Sequence, residues 1–280
     1  MHTDPHFIVK DQSVLHRFYR YAGIDPKIDS GVILMEKLCQ AFSQIPYENL
    51  TKIIKSDTVV SAGSAKRLPD EVIQSHLDFG TGGTCFSLTA AFIAVFNALD
   101  IEAHPILADR YYGSDTHCAL VFLKGTDLYL LDPGYLVNTP VLLPISSRVA
   151  VVTMLNTIEL VPHDAGKKVD LFTIVGNDRR NRLTYKVDLV DGSRYGQAWE
   201  HSFTWEMMTY PVLTRYHKGR HHYLQGNRLR VRDGERSTKK VLASDERCLF
   251  MTDVLGIHRD IVNSAMEVIP DGKGPSADSS

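Results

Sequence analysis

Apolar side chains recur every three or four positions in the first part of the chain, as Val14, Phe18 and Tyr21 and then as Ile33, Leu34, Leu38 and Phe42. That spacing predicts two amphipathic helices, parted by the turn-forming stretch IDPKIDSG around Pro26. The polar run SDTVVSAGSAKRLPD is expected to be loop or short strands, and DEVIQSHLDFG a short helix closed by Gly80. The segment that follows Cys85, FSLTAAFIAVFNALD, is apolar nearly all round, so a buried helix is predicted over residues 86–99. Beyond it the pattern changes. ALVFL, LYLL, KVDLFTIVG, NRLTYKVDLV and RYGQAW are short, rich in β-branched and aromatic residues, and read as antiparallel strands. The last third mixes strands in HYLQGNRLRVRDG with a helix near SDERCLFMTDVLG, and IPDGKGPSADSS reads as a disordered tail. The sum is an α+β chain of helices, then strands, then a mixed region.

Composition narrows the function classes. The 280 residues are 44% hydrophobic and 23% charged, with a net charge of -2. This balance gives no footprint for nucleic acid or an anionic membrane surface, and neither is expected as a partner. No run of apolar residues is long enough for a transmembrane helix. The N-terminus MHTDPHFIVKDQSVLHRF lacks the basic start and apolar core of a signal peptide. Cys39, Cys85, Cys118 and Cys248 show no metal or disulfide spacing, which points to a reducing, cytoplasmic setting with free thiols. His217, His221 and His222 lack an acidic or cysteine partner nearby, so no metal is expected.

One of those thiols stands apart. In GTGGTCFSLTAAF, Cys85 sits where two glycines meet a buried helix. The unpaired N–H groups and positive dipole end of a helix N-terminus favour the thiolate. Gly82 and Gly83 remove bulk just ahead of it, so that Gly83 is a candidate for substrate approach. Taken alone, a cysteine there is more often a small core residue. The stretch DTHCALVFLKGTDLYLLDPGY adds a second group, because it reads as a hairpin. A turn at Lys124–Gly125 sets His117 directly opposite Asp132; a turn at Gly125–Thr126 sets it diagonal, on the same face and still within reach. A nucleophile, a base and an orienting carboxylate make a general triad. Cys118, next along, alternates to the other face and is expected in the core.

These motifs resemble those of the arylamine N-acetyltransferases. The family pattern is Arg-Gly-Gly-x-Cys with Asn four residues on, Thr-His before an apolar strand, Asp-x-Gly-aromatic, and an upstream Pro-aromatic-Glu-Asn-Leu. This chain has TGGTC, THCALVF, DPGY and IPYENL, and the resemblance covers residues 15 to 145 well and the rest loosely. It implies Cys85 as the acylated nucleophile, His117 as base, Asp132 as orienting carboxylate, and Tyr47 and Tyr135 as aromatic walls of the acceptor pocket. The implied fold is an N-terminal helical bundle (1–84), a central antiparallel β-barrel (85–195) opening with the nucleophile helix, and a C-terminal α/β lid (196–268), before a disordered tail (269–280). Its core is of the cysteine-protease or transglutaminase kind. The implied reaction is ping-pong: acetyl-CoA or another acyl thioester acylates the cysteine as co-substrate, with no tightly bound cofactor, and a small-molecule amine takes the acyl group. The basic stretch with Arg215, Lys218, Arg220, Arg228, Arg230 and Arg232 lies in the region that in the family helps to receive CoA. Three positions depart from the pattern: Thr81 stands for Arg, Ser87 for Glu or Gln, and Thr89 for Asn. Thr81 leaves a partner of the missing arginine, Glu48, to be neutral, solvated or paired elsewhere. The departures keep alternatives open: an amide synthase working on a larger or carrier-bound thioester with an acyl carrier protein as partner, a cysteine hydrolase, or a scaffold with an idle triad.

Overall fold

The N-terminal periodicity is realised as α1 (Gln12–Ala22) and α2 (Gly31–Ser43). Val14, Leu15 and Phe18 of α1 share one core with Leu38 and Phe42 of α2. The structure is a computed structural model and describes residues 3–153, 156–234 and 236–270. A two-residue strand, β1 (Tyr47–Glu48), leads into α3 (Leu50–Thr58) and the short α4 (Ala62–Ala65). The polar run from Ser56 to Asp70 is therefore largely helical rather than loop or strand. Its helical signals are local: Ser61 accepts from Ser64 N to cap α4, and Pro69 opens α5 (Pro69–Phe79). Gly80 ends α5 as its position predicts.

The all-apolar segment forms α6 (Cys85–Ala98), buried at every residue from Cys85 to Asn97. It packs on α5 on one side and on β2 (Ala103–Arg110) and β3 (Gly113–Lys124) on the other. These strands continue through β4 (Asp127–Asp132), β5 (Val137–Leu142), β6 (Val149–Val152), β7 (Thr157–His163), β8 (Lys168–Val175) and β9 (Asp178–Lys186). Together they make an antiparallel sheet of order β5-β4-β3-β2-β9-β8-β7-β6. It curls into a nearly closed barrel around Ile106, Val121, Leu160, Leu171 and Tyr185.

RYGQAW, read above as a strand, lies in a helix, α7 (Gly192–His201). Asp191 caps it by accepting from Arg194 N at 2.8 Å. Tyr195 and Trp199, four apart, lie on one helical face against Phe86 of α6. Over six residues that pair resembles strand alternation, and the cap decides. The expected boundary at 195/196 thus falls inside a helix whose aromatic face belongs to the first core.

The remaining strands, β10 (Val212–His217), β11 (Arg220–Gln225), β12 (Arg228–Asp233) and β13 (Arg236–Val241), form a second antiparallel sheet with β1 at its edge. After it come α8 (Ser244–Leu249), a π turn to Val254, and α9 (Arg259–Val268). Leu50 and Ile53 of α3 share a core with Leu213, Leu224, Met251 and Val262. β1 and α3, expected in an N-terminal bundle, therefore pack with the last third of the chain. Ile269, at the start of the expected tail, is buried in that core, and residues 271–280 lie outside the described residues. Among the described residues no helix is long and apolar enough to cross a membrane.

Candidate active site

The hairpin register decides between the two turns considered above. Lys124 pairs with Asp127 and Leu120 with Leu131, so the turn is Gly125–Thr126 and His117 is diagonal to Asp132. The diagonal is bridged: His117 Nε2 lies 2.7 Å from Asp132 Oδ2, with both side chains shut off from solvent. A carboxylate only accepts, so Nε2 carries the proton and Nδ1 is left as the other face of the ring. Asp132 also accepts from Tyr185 Oη at 2.7 Å and from Tyr135 N at 2.8 Å. Three donors thus fix the carboxylate. Tyr185 escaped the sequence reading because nothing local marks a strand tyrosine that reaches across a barrel.

Gly134 of DPGY brings these groups to the thiol. A Cβ at that position would stand 2.7 Å from Cys85 Cβ and 3.0 Å from His117 Cε1, so only a glycine lets the loop close over both. Cys85 opens α6 and is 3% exposed. The Cys118 thiol leads the groups that draw Cys85 well below the ordinary thiol value; His117 and Arg110 add to it, while burial opposes. Burial works against a proton on His117, the Asp132 carboxylate favours it and Arg110 opposes it, and the balance lies above the ordinary imidazole value. The other cysteines behave differently. Burial pushes Cys39 up to about 12, and it raises Cys118 well above the usual range. Cys118 is in the core as expected, yet that core position also places it against the nucleophile candidate, with Sγ 3.6 Å from Tyr195 Oη.

The two glycines before Cys85 are filled by the chain itself. A Cβ on Gly82 would meet Pro46 O at 1.8 Å and one on Gly83 would meet Ser87 Oγ at 2.2 Å. Gly83 also bridges to Tyr47, and Glu48 N donates to Gly83 O at 3.0 Å. The space read above as room for substrate at Gly83 is thus occupied by β1 and by the first turn of α6.

Glu48 is fully buried, and the structure pairs it elsewhere. Its Oε1 accepts from Gly82 N at 3.2 Å, its Oε2 accepts from Thr51 N at 3.0 Å, and Arg67 Nη1 lies 3.5 Å from Oε1. The same Arg67 nitrogen donates to Gly82 O at 2.6 Å, and Arg67 Nε to Glu71 at 3.1 Å. A guanidinium from the α4–α5 connection therefore does the pairing that the resemblance places at position 81. Thr81 and Thr89 are both fully buried. Asn49 holds the other flank: Nδ2 donates to Met207 O and Tyr210 O at 2.6 and 2.9 Å, and Oδ1 accepts from Val212 N at 2.7 Å.

Tyr135 stands edge-on to His117, ring centres 6.2 Å apart, and Tyr47 is buried with its phenol feeling the charge at Cys85. One row crosses the second sheet from there: Tyr47, Thr214, Tyr223, Arg230 and Lys239 are successive cross-strand partners. Of the basic stretch, Arg215 is turned inward to Leu255 O at 2.6 Å and Arg220 pairs with Asp233 at 3.2 Å. Arg230 and Arg232 share the face of Tyr223 and His221. Lys52 is buried too, its Nζ donating to Ser202 O and Oγ at 2.9 and 2.6 Å, and burial lowers its amine to about 7.

A thiol at a buried helix start, with an imidazole and a carboxylate carried on a curled antiparallel sheet, defines a cysteine-protease-like core. Its particular form is that of solved arylamine N-acetyltransferases. The Mycobacterium abscessus enzyme superposes with a TM-score of 0.76 at 17% identity, covering 91% of this chain and 94% of that one. The Mycobacterium marinum enzyme in complex with CoA gives 0.75 at 14% identity, over 91% and 100%. The Bacillus cereus enzyme, described as having a unique Cys-His-Glu catalytic triad, gives 0.68 at 16% identity, over 88% and 98%. No protein-family model matches the chain, and no curated protein matches its sequence. At these identities the likeness establishes the fold.

Proposed function

We propose that the protein is an acyltransferase that moves an acyl group from an acyl-CoA to a small amine through an acyl-Cys85 intermediate. The observation that carries this reading is His117, bonded through Nε2 to Asp132 and packed with Cys85 against Gly134. The thiolate attacks the thioester carbonyl, and N–H groups at the start of α6 face the developing oxyanion. CoA leaves as a thiolate. The amine then attacks the acyl-cysteine, His117 takes its proton, and Asp132 keeps the ring in the productive tautomer. Tyr47 and Tyr135 wall the site against water and offer faces to a flat acceptor. The row that ends in Arg230 and Lys239 suits the donor's phosphates: Arg230 stands three strand spacings from Tyr47, about 14 Å, which a pantetheine arm can span. The region from residue 196 onward serves as the lid over this cleft. An acyl carrier protein as donor has no support among the structural neighbours.

Selective labelling tests the nucleophile. Cys248 is half-buried and Cys85 almost wholly buried, so access alone favours Cys248. Brief iodoacetamide treatment followed by peptide mapping is expected to label Cys85 at least tenfold faster than Cys39, Cys118 or Cys248, because the groups around Cys85 draw its thiol toward the reactive thiolate. Labelling led by Cys248, with Cys85 silent, would remove the nucleophile from the account.

A further inference from the structure

Val32, Met35, Glu36, Cys39, Gln40 and Ser43 recur at three- and four-residue spacing along α2, on a stripe beside the one that Leu38 and Phe42 bury in the core. This second stripe lines a cavity of about 920 Å³, a volume within the range of small-molecule sites. The facing wall is the outer side of the barrel edge. Ala119, Val121 and Leu130 fill the barrel, so Phe122 and Tyr129, their neighbours in β3 and β4, alternate outward. Their rings stack with centres 5.9 Å apart and line the cavity.

The cavity is separate from the candidate active site. None of Cys85, His117, Asp132, Tyr47 and Tyr135 lines it. It comes up behind them instead. Leu136, which directly follows Tyr135, is on its wall, as are Gln44 at the end of α2 and Tyr216 of β10. Tyr216 is two residues along from Thr214, the strand partner of Tyr47.

We propose that this cavity is a binding site for an elongated apolar molecule with a single amine head, its tail lying along α2 toward Leu136. The proposal goes beyond the acyl-transfer reading and stands without it. Shape sets the tail. The lining runs from Gly31 to Ser43, the full 13 residues of α2 and so about 20 Å, which gives the cavity a mean cross-section of about 45 Å². That is room for one extended chain or one flat ring system side by side with the helix, and too narrow for a folded peptide. The walls suit such a tail. Leu34, Cys39 and Phe122 are buried along it, while Val32 and Leu123 on the lining are 59% and 64% exposed and gain cover from an apolar occupant.

Charge sets the head. Three carboxylates and one ammonium group belong to the lining: Asp29, Glu36, Asp100 and Lys124. Asp29 is already answered by Lys37 at 2.6 Å. Glu36 and Asp100 are exposed and have no ion-pair partner among the described residues, and the same holds for Lys124. Two unpaired carboxylates against one unpaired ammonium favour a cationic head over a carboxylate or a phosphate. Asp29 and Glu36 stand toward the start of α2, the end away from Gln44 and Tyr216, so a head held there directs the tail toward the back of the loop that covers Cys85.

The test is equilibrium binding to the full chain, followed by titration calorimetry with decylamine, decanol, decanoate and butylamine as probes. Cys85→Ala is measured in parallel, so that loss of acyl-transfer chemistry and loss of this site give different results. Decylamine should bind with one equivalent, equally in native protein and Cys85→Ala, and about tenfold or more tighter than decanoate or butylamine. Ala98→Trp and Ser43→Trp, which each place an indole on the lining, should weaken decylamine by about tenfold or more. The double variant Glu36→Gln, Asp100→Asn should abolish the preference for decylamine over decanoate while leaving decanol unchanged. Circular dichroism follows the fold, and if a tryptophan variant does not fold, the charge variant still decides. Decanoate binding more tightly than decylamine would place the head at Lys124 and overturn the amine assignment. Binding lost in Cys85→Ala, binding indifferent to both tryptophans, or no binding of any ten-carbon probe would overturn the site itself.

Discussion

Asp132→Asn is expected to slow acylation of Cys85 by three to four orders of magnitude while leaving the fold in place. The amide retains one oxygen, enough to accept from Tyr135 N, whose bond at 2.8 Å holds the loop. It cannot also accept at Oδ2 from both His117 Nε2 and Tyr185 Oη, each 2.7 Å away. An NH2 placed there meets two donors, and His117 escapes by turning over or by moving its proton to Nδ1, the nitrogen needed as base. Loss of the right tautomer in a triad of this kind costs roughly 10⁴ in turnover. A carboxylate that served only to form the turn would be replaced by Asn at little cost, since Asn suits turns equally. The measurement is the single-turnover rate of adduct formation from acyl-CoA. A rate within about tenfold of native, with unchanged circular dichroism, contradicts the orienting role.

Arg67→Met is the second large effect, and it falls first on stability. Glu48 is fully shut off from water and Arg67 is 4% exposed. Removing the guanidinium leaves a buried carboxylate with only Thr51 and Gly82 as donors, and breaking a buried pair in this way costs about 3–5 kcal/mol. Adding Glu48→Gln to Arg67→Met should recover much of that loss, because the stranded charge is gone. Chemical denaturation of the single and double variants checks both signs. A double variant no more stable than Arg67→Met alone would mean that Glu48 is not the group Arg67 compensates. The loop ahead of Cys85 hangs on the same contacts through Gly82, so adduct formation should also slow in the single variant.

Much of this site was legible in the chain because its signals are local. The apolar run that makes α6, the glycine that ends α5 and the hairpin that couples His117 to Asp132 all lie within short windows. The hairpin left two registers, and both put His117 and Asp132 on one face, so the pairing survived the ambiguity. What was not legible depends on distant partners. Thr81 advertises a missing arginine, but nothing in the stretch AKRLPD says that Arg67 turns inward to meet Glu48. Tyr185 and Arg110 are ordinary strand residues until the barrel curls and brings them to Asp132 and His117. RYGQAW misled because an aromatic pair four apart is too short to separate helix from strand without weighing Asp191 as a cap. The pair of glycines before Cys85 was visible as a demand for space, whereas what fills that space, Pro46 O and Ser87 Oγ, was not.

The claim that Cys85 carries an acyl group destined for an amine is tested most directly by intact-protein mass spectrometry. The protein is incubated with a panel of acyl-CoAs, freed of excess donor, and the adduct followed with and without added amines, aniline and hydrazine first. The account predicts one acyl adduct, absent in Cys85→Ser, that persists for minutes in buffer and discharges rapidly when an amine is added, with the acyl group recovered as amide. An adduct that disappears in water at the same rate whatever amine is present would make the protein a hydrolase and contradict the transfer reading.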